Sequence, residues 1–309
     1  MKLFRHIACL VTLSILTVSS LQAAIEDQSI ADESLINPEK LHPFTLEGSS
    51  DLVGKSSLSK NHFEDEDLHY GQSNVTLNAT FYYDKELVEG AQATIGYSHT
   101  LFDWVSNPYF SQRNWDTLTI GINGFTGRCS KWFWQGRLAA NIDMDHWDLT
   151  YYTTYDMMLW GRYDIHCNNI GLHFGLLAQT GMRMDRVYPI LGFDWTINPT
   201  WKINAIFPLN VSAVYTYDCC WNAGVGGRFF DTRHRTGDDQ PLPMGIFAYR
   251  TIGAEAFINY SNCDWAEANF HAGWLISGKV KISNRHQENG KWFEVGSAPY
   301  VGAKFVLKY

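Results

Sequence analysis

No stretch of this chain reaches about 18 consecutive apolar residues, the length a helix needs to cross a bilayer, so the sequence excludes a helical membrane span. Basic residues are in the minority. The 24 Lys and Arg against 32 Asp and Glu leave a formal charge of −8, which disfavours a polyanion such as nucleic acid as partner. Cysteine is scarce, with six in 309 residues, and neither Cys-x-x-Cys nor His-x-x-x-His, the spacings that hold a metal, occurs. Gly-x-Ser-x-Gly, His-Glu-x-x-His and a Walker-type glycine loop are missing too. His99, His146 and His173 therefore stand without the partner set that nucleophilic or acid–base chemistry requires. The sequence predicts no catalytic, cofactor-binding or metal-binding residues. Amphipathic helices of ordinary length are absent as well.

What the chain does have is aromatics, at 15 % with 12 Trp and 16 Tyr, and a long succession of alternating segments. Val75, Leu77, Ala79 and Phe81 alternate with Thr76, Asn78 and Thr80. Leu118, Ile120 and Ile122 alternate with Thr117, Thr119 and Gly121, and Leu191, Phe193 and Trp195 alternate with Gly192 and Asp194. A period of two puts each set on one face of a strand. Turn residues punctuate the runs at Asp84-Lys85, Asn198-Pro199-Thr200 and Asp218-Cys219-Cys220. Stretches near 102–113, 231–243 and 281–297 read as longer loops. Trp132, Trp147, Trp195, Trp201, Trp221 and Trp265 fall at strand ends, where a membrane–water boundary favours half-wet rings. A secreted soluble β-sandwich would alternate too, with its apolar residues inside. The aromatic strand ends and the Gly-, Thr- and Asn-rich polar faces favour lipid outside and water inside. The expected fold is all-β: a transmembrane antiparallel up-and-down β-barrel of about 12 strands. The range is 10 to 14, because residues 147–166 and 201–217 each read as one strand or two.

The N-terminal end separates into two parts. Met1–His6 is basic, Ile7–Val18 almost wholly apolar, and Ser19–Ala24 small and polar, the plan of a secretory signal peptide over residues 1–23. Residues 24–72 are acidic, serine-rich and poor in aromatics, a composition that buries little apolar area. They read as a disordered arm. The barrel is then expected over 73–309, in the bacterial outer membrane, with outer-membrane lipid as its surroundings and no nucleic acid as partner.

Two resemblances add to this. Tyr300–Tyr309, with Val301, Ala303, Phe305, Leu307 and Tyr309 on one face and Gly302, Lys304 and Lys308 on the other, resembles the C-terminal assembly signal of bacterial outer-membrane barrels. It implies the barrel-assembly machinery as a partner during biogenesis. Residues 189–235 resemble a family of uncharacterised outer-membrane β-barrels with members in chlamydia-like bacteria. The likeness rests on Leu191-Gly192, Trp201, Phe207-Pro208, Tyr215, Trp221 and Arg228-Phe229-Phe230. It implies a barrel and no activity. Beyond the leader stand Cys129, Cys167, Cys219, Cys220 and Cys263, each in an expected turn, and their odd number leaves at least one thiol outside any internal pairing. The family resemblance implies, as one reading, cross-links to other cysteine-rich envelope proteins; small reduced turn residues are the other.

On parity, Arg137, Arg162, Asp164, Lys202, Arg228, Glu255 and Glu267 line the lumen. Opposed charges there suit a small passive pore for polar solutes, or salt bridges that close the barrel. A structural or adhesive envelope protein, and more remotely an outer-membrane hydrolase, are the alternatives.

Overall fold

The computed structural model describes residues 41–59, 66–129, 131–146, 148–165, 169–182, 186–262 and 265–309. The expected signal peptide lies outside these. Fifteen strands make up the fold: β1 (Phe44–Ser59), β2 (Glu66–Asp84), β3 (Glu89–Trp104), β4 (Asn114–Cys129), β5 (Trp132–Asp143), β6 (Thr153–Asp164), β7 (Ile170–Gly181) and β8 (Arg186–Asn198) are followed by β9 (Trp201–Phe207), β10 (Asn210–Thr216), β11 (Trp221–Arg235), β12 (Ile246–Ser261), β13 (Ala266–Ser283), β14 (Lys291–Val295) and β15 (Pro299–Lys308). Successive strands pair antiparallel from β1 to β13. β14 and β15 lie in line along β13, at Gly278↔Val295 and Trp274↔Pro299, and act as one interrupted strand. β15 also pairs with β1 from Thr45↔Lys308 to Val53↔Tyr300, which closes the sheet. The result is a barrel of fourteen staves.

Closure of β15 on β1 pairs the backbone groups around the lower wall, the condition for burial in hydrocarbon, while above Leu191 and Gly227 β8 and β11 run past the short β9–β10 hairpin. The two faces are those the alternation predicts. Val75, Ile95 and Ile122 on the outer face are 50 %, 51 % and 54 % exposed, while Thr94 and His173 on the inner face are each 4 %. A water-soluble barrel or sandwich reverses this order, so that rival is excluded. In β15 the outer set is Val301, Phe305 and Tyr309, as read from the sequence, and Tyr300 and Val306 point inward and are buried. Trp195, Trp201, Trp221 and Trp265 form an exposed girdle at one end. That end carries the short turns, the start of β1 and the end of β15. The other end carries the connections at 105–113, 144–152, 236–245 and 284–290. The protein is an outer-membrane β-barrel, with short turns at one end and longer connections at the other, the common plan of such barrels.

Fourteen staves stand at the top of the expected range, for two physical reasons. Residues 201–217 are a hairpin, β9 and β10 turning at Pro208-Leu209, whereas the described part of 147–166, residues 148–165, supplies a single strand, β6, behind a loop. The second reason is a correction: residues 44–59 and 66–72, read as part of a disordered acidic arm, form β1 and the start of β2. The arm's composition misleads because its acids point inward to distant partners. Glu47 meets Lys304 at 2.6 Å, and Asp51 meets His271 at 2.7 Å and Arg228 at 3.5 Å. Phe44, Leu46 and Leu52, on the other parity, face outward. The loops expected at 231–243 and 281–297 are also partly strand, since β11 runs to Arg235, β13 to Ser283, and β14 spans Lys291–Val295.

Candidate functional site: the barrel interior

Three levels of side chains divide the interior. Nearest the turns, between β9–β13 and β15, lies a cavity of about 380 Å³ walled by polar groups such as Asn204, Ser212, Asn222, Asn259 and Asn269. Gly226 and Gly227 of β11 belong to its lining, whereas the Phe257 ring covers Gly224, where a Cβ would stand 2.5 Å from it. Arg228 at its floor holds Glu255 through two nitrogens and also reaches Asp51. Tyr300 donates its hydroxyl to Glu255 at 3.2 Å. The Tyr300 ring lies directly over Gly253 and Gly273, where a Cβ would stand 2.6 and 2.5 Å from it, so glycine is required at both positions. Glu267 pairs with Lys308.

On the facing wall, Asp194 of β8 gathers three partners. His173 meets it at 2.6 Å, Arg162 at 3.0 Å and Lys202 at 3.8 Å, and Arg162 also reaches Asp164 at 2.9 Å. Trp160 donates its indole N–H to His173 Nδ1 at 3.1 Å, which fixes the ring in the wall. Met158, Trp160, Leu177, Tyr188, Ile190 and Ile206 fill the space above with an apolar cluster.

The third level is the loop-side mouth. The lower parts of β11 and β12 put Ala223, Val225, Ala254, Ala256 and Ile258 on the outer face, and their pairing continues without a slip to Arg235↔Ile246. The same outer parity above is occupied by Asp231, Arg233, Arg235 and Arg250. Charges there cannot face lipid. The upper hairpin instead leans across the mouth, and Asp231, Arg233 and Arg235 are buried. It is free to do so because β9 pairs with β8 only from Leu191 downward and β10 with β11 only up to Gly227, so no strand ties the tip on that side. One face of the tip packs on β2–β4. Tyr249 stacks on Tyr70 at 4.3 Å, Phe247 meets Phe102 at 5.0 Å, and Trp115 stacks on His234 and donates to the Arg235 carbonyl at 3.2 Å. These rings belong to a buried cluster that also takes in Leu58, Phe110, Phe293 and Tyr300 and seals the mouth. The opposite face meets β5–β8. Asp231 lies 3.6 Å from Arg186 and 3.3 Å from Arg250, and Arg235 donates to the Tyr151 carbonyl at 2.8 Å. Tyr152, in the loop before β6, donates to the Thr236 carbonyl at 3.4 Å, and burial pushes its phenol pKa above the ordinary value. Between tip and wall a cavity of about 70 Å³ is lined by Arg137, Asn141, Asp143, Thr154, Asp156 and Arg233, among others.

The charged residues expected from parity therefore stand in three separate groups. Arg162 and Lys202 meet Asp194 and Arg162 also holds Asp164, Arg228 and Glu255 meet beside Asp51, and Glu267 pairs with Lys308, whereas Arg137 lines the small cavity under the mouth. Asp51, Asp194, Arg186, Asp231 and Arg250 were not singled out. The alternation already put Asp194 on a polar face, whereas the tip residues carried no local sign that their strand turns inward. Of the turn cysteines, Cys219 and Cys220 stand in the β10–β11 turn with sulfurs 3.6 Å apart, and their Sγ atoms and an Asp218 carboxylate oxygen lie within 4.8 Å of one another. Cys129 ends β4 on the same turn side. Cys167 and Cys263 lie outside the described residues.

No family model matches the chain. It is 21 % identical to an uncharacterized protein of Chlamydia trachomatis serovar D, over 79 % of this chain and 81 % of that one. It is 22 % identical to one of Chlamydia pneumoniae, over 67 % of this chain and 64 % of the relative. The likeness of residues 189–235 to a barrel family with chlamydial members thus extends over most of the chain. Among solved structures, an outer membrane channel from Pseudomonas putida F1 is similar with a TM-score of 0.48 at 8 % identity, covering 87 % of this chain and 96 % of that chain. The Pseudomonas putida toluene transporter TodX gives 0.42 at 8 %, covering 93 % and 95 %. At such identity nothing about solute or activity carries over.

Proposed function

We propose that this outer-membrane barrel, a relative of the chlamydial proteins above, is a pore for small polar solutes, held shut at its loop-side mouth by the inward-leaning β11–β12 hairpin. The observation that carries the reading is the unfilled, polar-walled cavity of about 380 Å³ on the turn side, below a closure built from one hairpin tip. A barrel serving only as a scaffold has no need of a hydrated interior. The paired charges Arg228–Glu255 and Arg162–Asp194 line separate stretches of the lumen wall, which suits polar over apolar solutes. The histidines paired with Asp51 and Asp194 are wall contacts in this reading, and the protein is not an enzyme.

The test is conductance of the refolded full chain in planar bilayers, beside a variant lacking residues 237–244 at the hairpin tip. Rare steps from the parent and steady, larger conductance from the variant are expected. Silence from both, with heat-dependent migration showing that both are folded, overturns the pore.

A second reading is favoured by one observation, the adjacent thiols of Cys219 and Cys220 at the turn-side surface. In it the barrel is a structural envelope protein cross-linked through its turns. Non-reducing gels of isolated envelopes separate the two: a monomer band indifferent to reductant removes the cross-linked scaffold.

A further inference from the structure

The β8–β9 and β10–β11 turns are built alike. In the first, Asn198 Oδ1 accepts the N–H groups of Thr200 at 2.9 Å and Trp201 at 2.8 Å. In the second, Asp218 Oδ1 accepts those of Cys220 and Trp221, each at 2.8 Å. Both turns use one side-chain oxygen to hold the start of the next strand, and each leads into an exposed Trp. The first does this with Asn198, Pro199 and Thr200, so the shape needs neither a carboxylate nor a thiol. The second puts Asp218, Cys219 and Cys220 at the same three positions. Cysteine is among the most buried residue types, yet Cys219 is exposed and Cys220 half-buried, so core packing does not account for the pair.

The spacing is that of metal ligands. The two sulfurs stand 3.6 Å apart, and an Asp218 carboxylate oxygen lies within 4.8 Å of both. Two Zn–S bonds of about 2.3 Å drawn from sulfurs so placed meet at roughly 100°, near the tetrahedral angle. A sulfur and an oxygen on one zinc ion stand roughly 3.5 Å apart, so the carboxylate has about 1 Å to close, a small adjustment for an exposed side chain. Thiolates select zinc-like cations over Mg²⁺ and Ca²⁺, which prefer all-oxygen sites. Three protein ligands leave a fourth position for water.

We propose that Asp218, Cys219 and Cys220 bind one thiophilic divalent cation of the zinc class at the turn end of the barrel. Asp218 Oδ1 serves the turn and Oδ2 serves the ion. Each thiol gives its proton to solvent as its sulfur–metal bond forms, so no oxidant or reductant takes part. The site is independent of the pore. It competes with the cross-linked scaffold, because a thiolate held by a metal is withdrawn from disulfide exchange.

The test is titration of the reduced, refolded full chain, without a histidine tag, with Zn²⁺ against a chromophoric chelator under nitrogen. Saturable binding of one ion per chain is expected, with proton release and no competition from excess Mg²⁺. Cys219→Ser and Cys220→Ser should each weaken it by about tenfold or more, since loss of even an outer partner of a metal ligand costs that much. Asp218→Asn keeps the acceptor that Asn198 supplies in the companion turn and removes the charge, and should weaken binding by about tenfold. Cys219→Pro with Cys220→Thr copies the β8–β9 turn, so this double variant should fold, as heat-dependent migration reports, and bind no zinc. Co²⁺ in place of Zn²⁺ should give thiolate-to-metal charge-transfer absorption in the parent and none in the double variant. Zn²⁺ should slow alkylation of Cys219 and Cys220, and Cys129→Ser should leave zinc binding unchanged. Absence of saturable binding, or equal binding by the parent and the folded double variant, overturns the proposal. A silent bilayer with zinc binding intact removes the pore and leaves the site. Conductance from a barrel that binds no zinc does the reverse.

Discussion

Asp194 shows what a single residue does in this interior. It is buried, and it serves Arg162, His173 and Lys202 at once. Buried charges are expensive to strand, so removal of the shared partner costs more than the pairs contribute. Asp194→Ala is therefore expected to lower barrel stability by about 3 kcal/mol or more, read as a shift in the urea midpoint in lipid vesicles. Lys55→Ala breaks an equally short pair, with Asp67 at 2.6 Å, but there the side chains are 65 % and 44 % exposed, and a loss of about 0–1 kcal/mol is expected. Equal losses in the two variants would show that lumen water screens Asp194 as well as bulk water screens Asp67. Legibility at this scale was uneven for a physical reason. Parity put Arg162, Lys202 and Arg228 on the inner face, but an ion pair needs a partner, and the partners lie far off in sequence: Asp51 meets Arg228 from β1 and Glu47 meets Lys304.

At the scale of the element, the period of two was readable wherever a strand has lipid on one side and water on the other. That held for β2 from Ser73 on, for β3–β8 and for β15, because hydrocarbon imposes one strict rule on the outer parity. It failed at β1, at the start of β2 and at the upper end of β11. In β1 the outer parity includes Gly48 and Ser50, and the inner acids raise the local charge, so composition resembles that of a solvated tail. In β11 the residues Asp231, Arg233 and Arg235 violate the lipid rule, and only the hairpin's lean across the mouth resolves the violation. The rule gives a direct test. Ile122→Arg, on the outward parity of β4, should cost about 2–4 kcal/mol if the site lies near the bilayer midplane. Arg233→Ile restores apolar character to the outer parity of β11 and should nevertheless destabilise, because that position faces the β5–β8 wall and not lipid. Stabilisation by Arg233→Ile, measured in the same vesicles, would mean that the tip stands in the wall.

For the whole molecule, the question is how often a barrel so closed at one end opens. The tip's inner face buries Phe230, Phe247 and Tyr249 against Tyr70, Phe102 and Trp115. Each large apolar side chain is stabilised by about 1.5–3 kcal/mol on burial, so lifting the tip costs on the order of 5–9 kcal/mol. At 1.4 kcal/mol per tenfold, an opening cost at the lower end of that range leaves the open state below roughly one part in a thousand. Recordings of the parent protein should therefore show isolated brief openings and no steady current. Phe247→Ala and Tyr249→Ala, each removing about 3–5 kcal/mol of buried packing, should raise the open fraction by about two to three orders of magnitude if the tip moves as a unit. A reversible lock tests the same equilibrium from the other side. Ser111 and Gln240 already touch, the Gln240 side chain accepting the Ser111 N–H at 2.7 Å. Ser111→Cys with Gln240→Cys, in a background where Cys129, Cys167, Cys219, Cys220 and Cys263 are alanine, should join the tip to the β3–β4 loop when oxidised. Openings should then vanish and return on reduction, even when Phe247→Ala is also present. Current that ignores the lock would place the constriction elsewhere in the lumen, with the Asp194 and Arg228 levels the next to be narrowed by substitution.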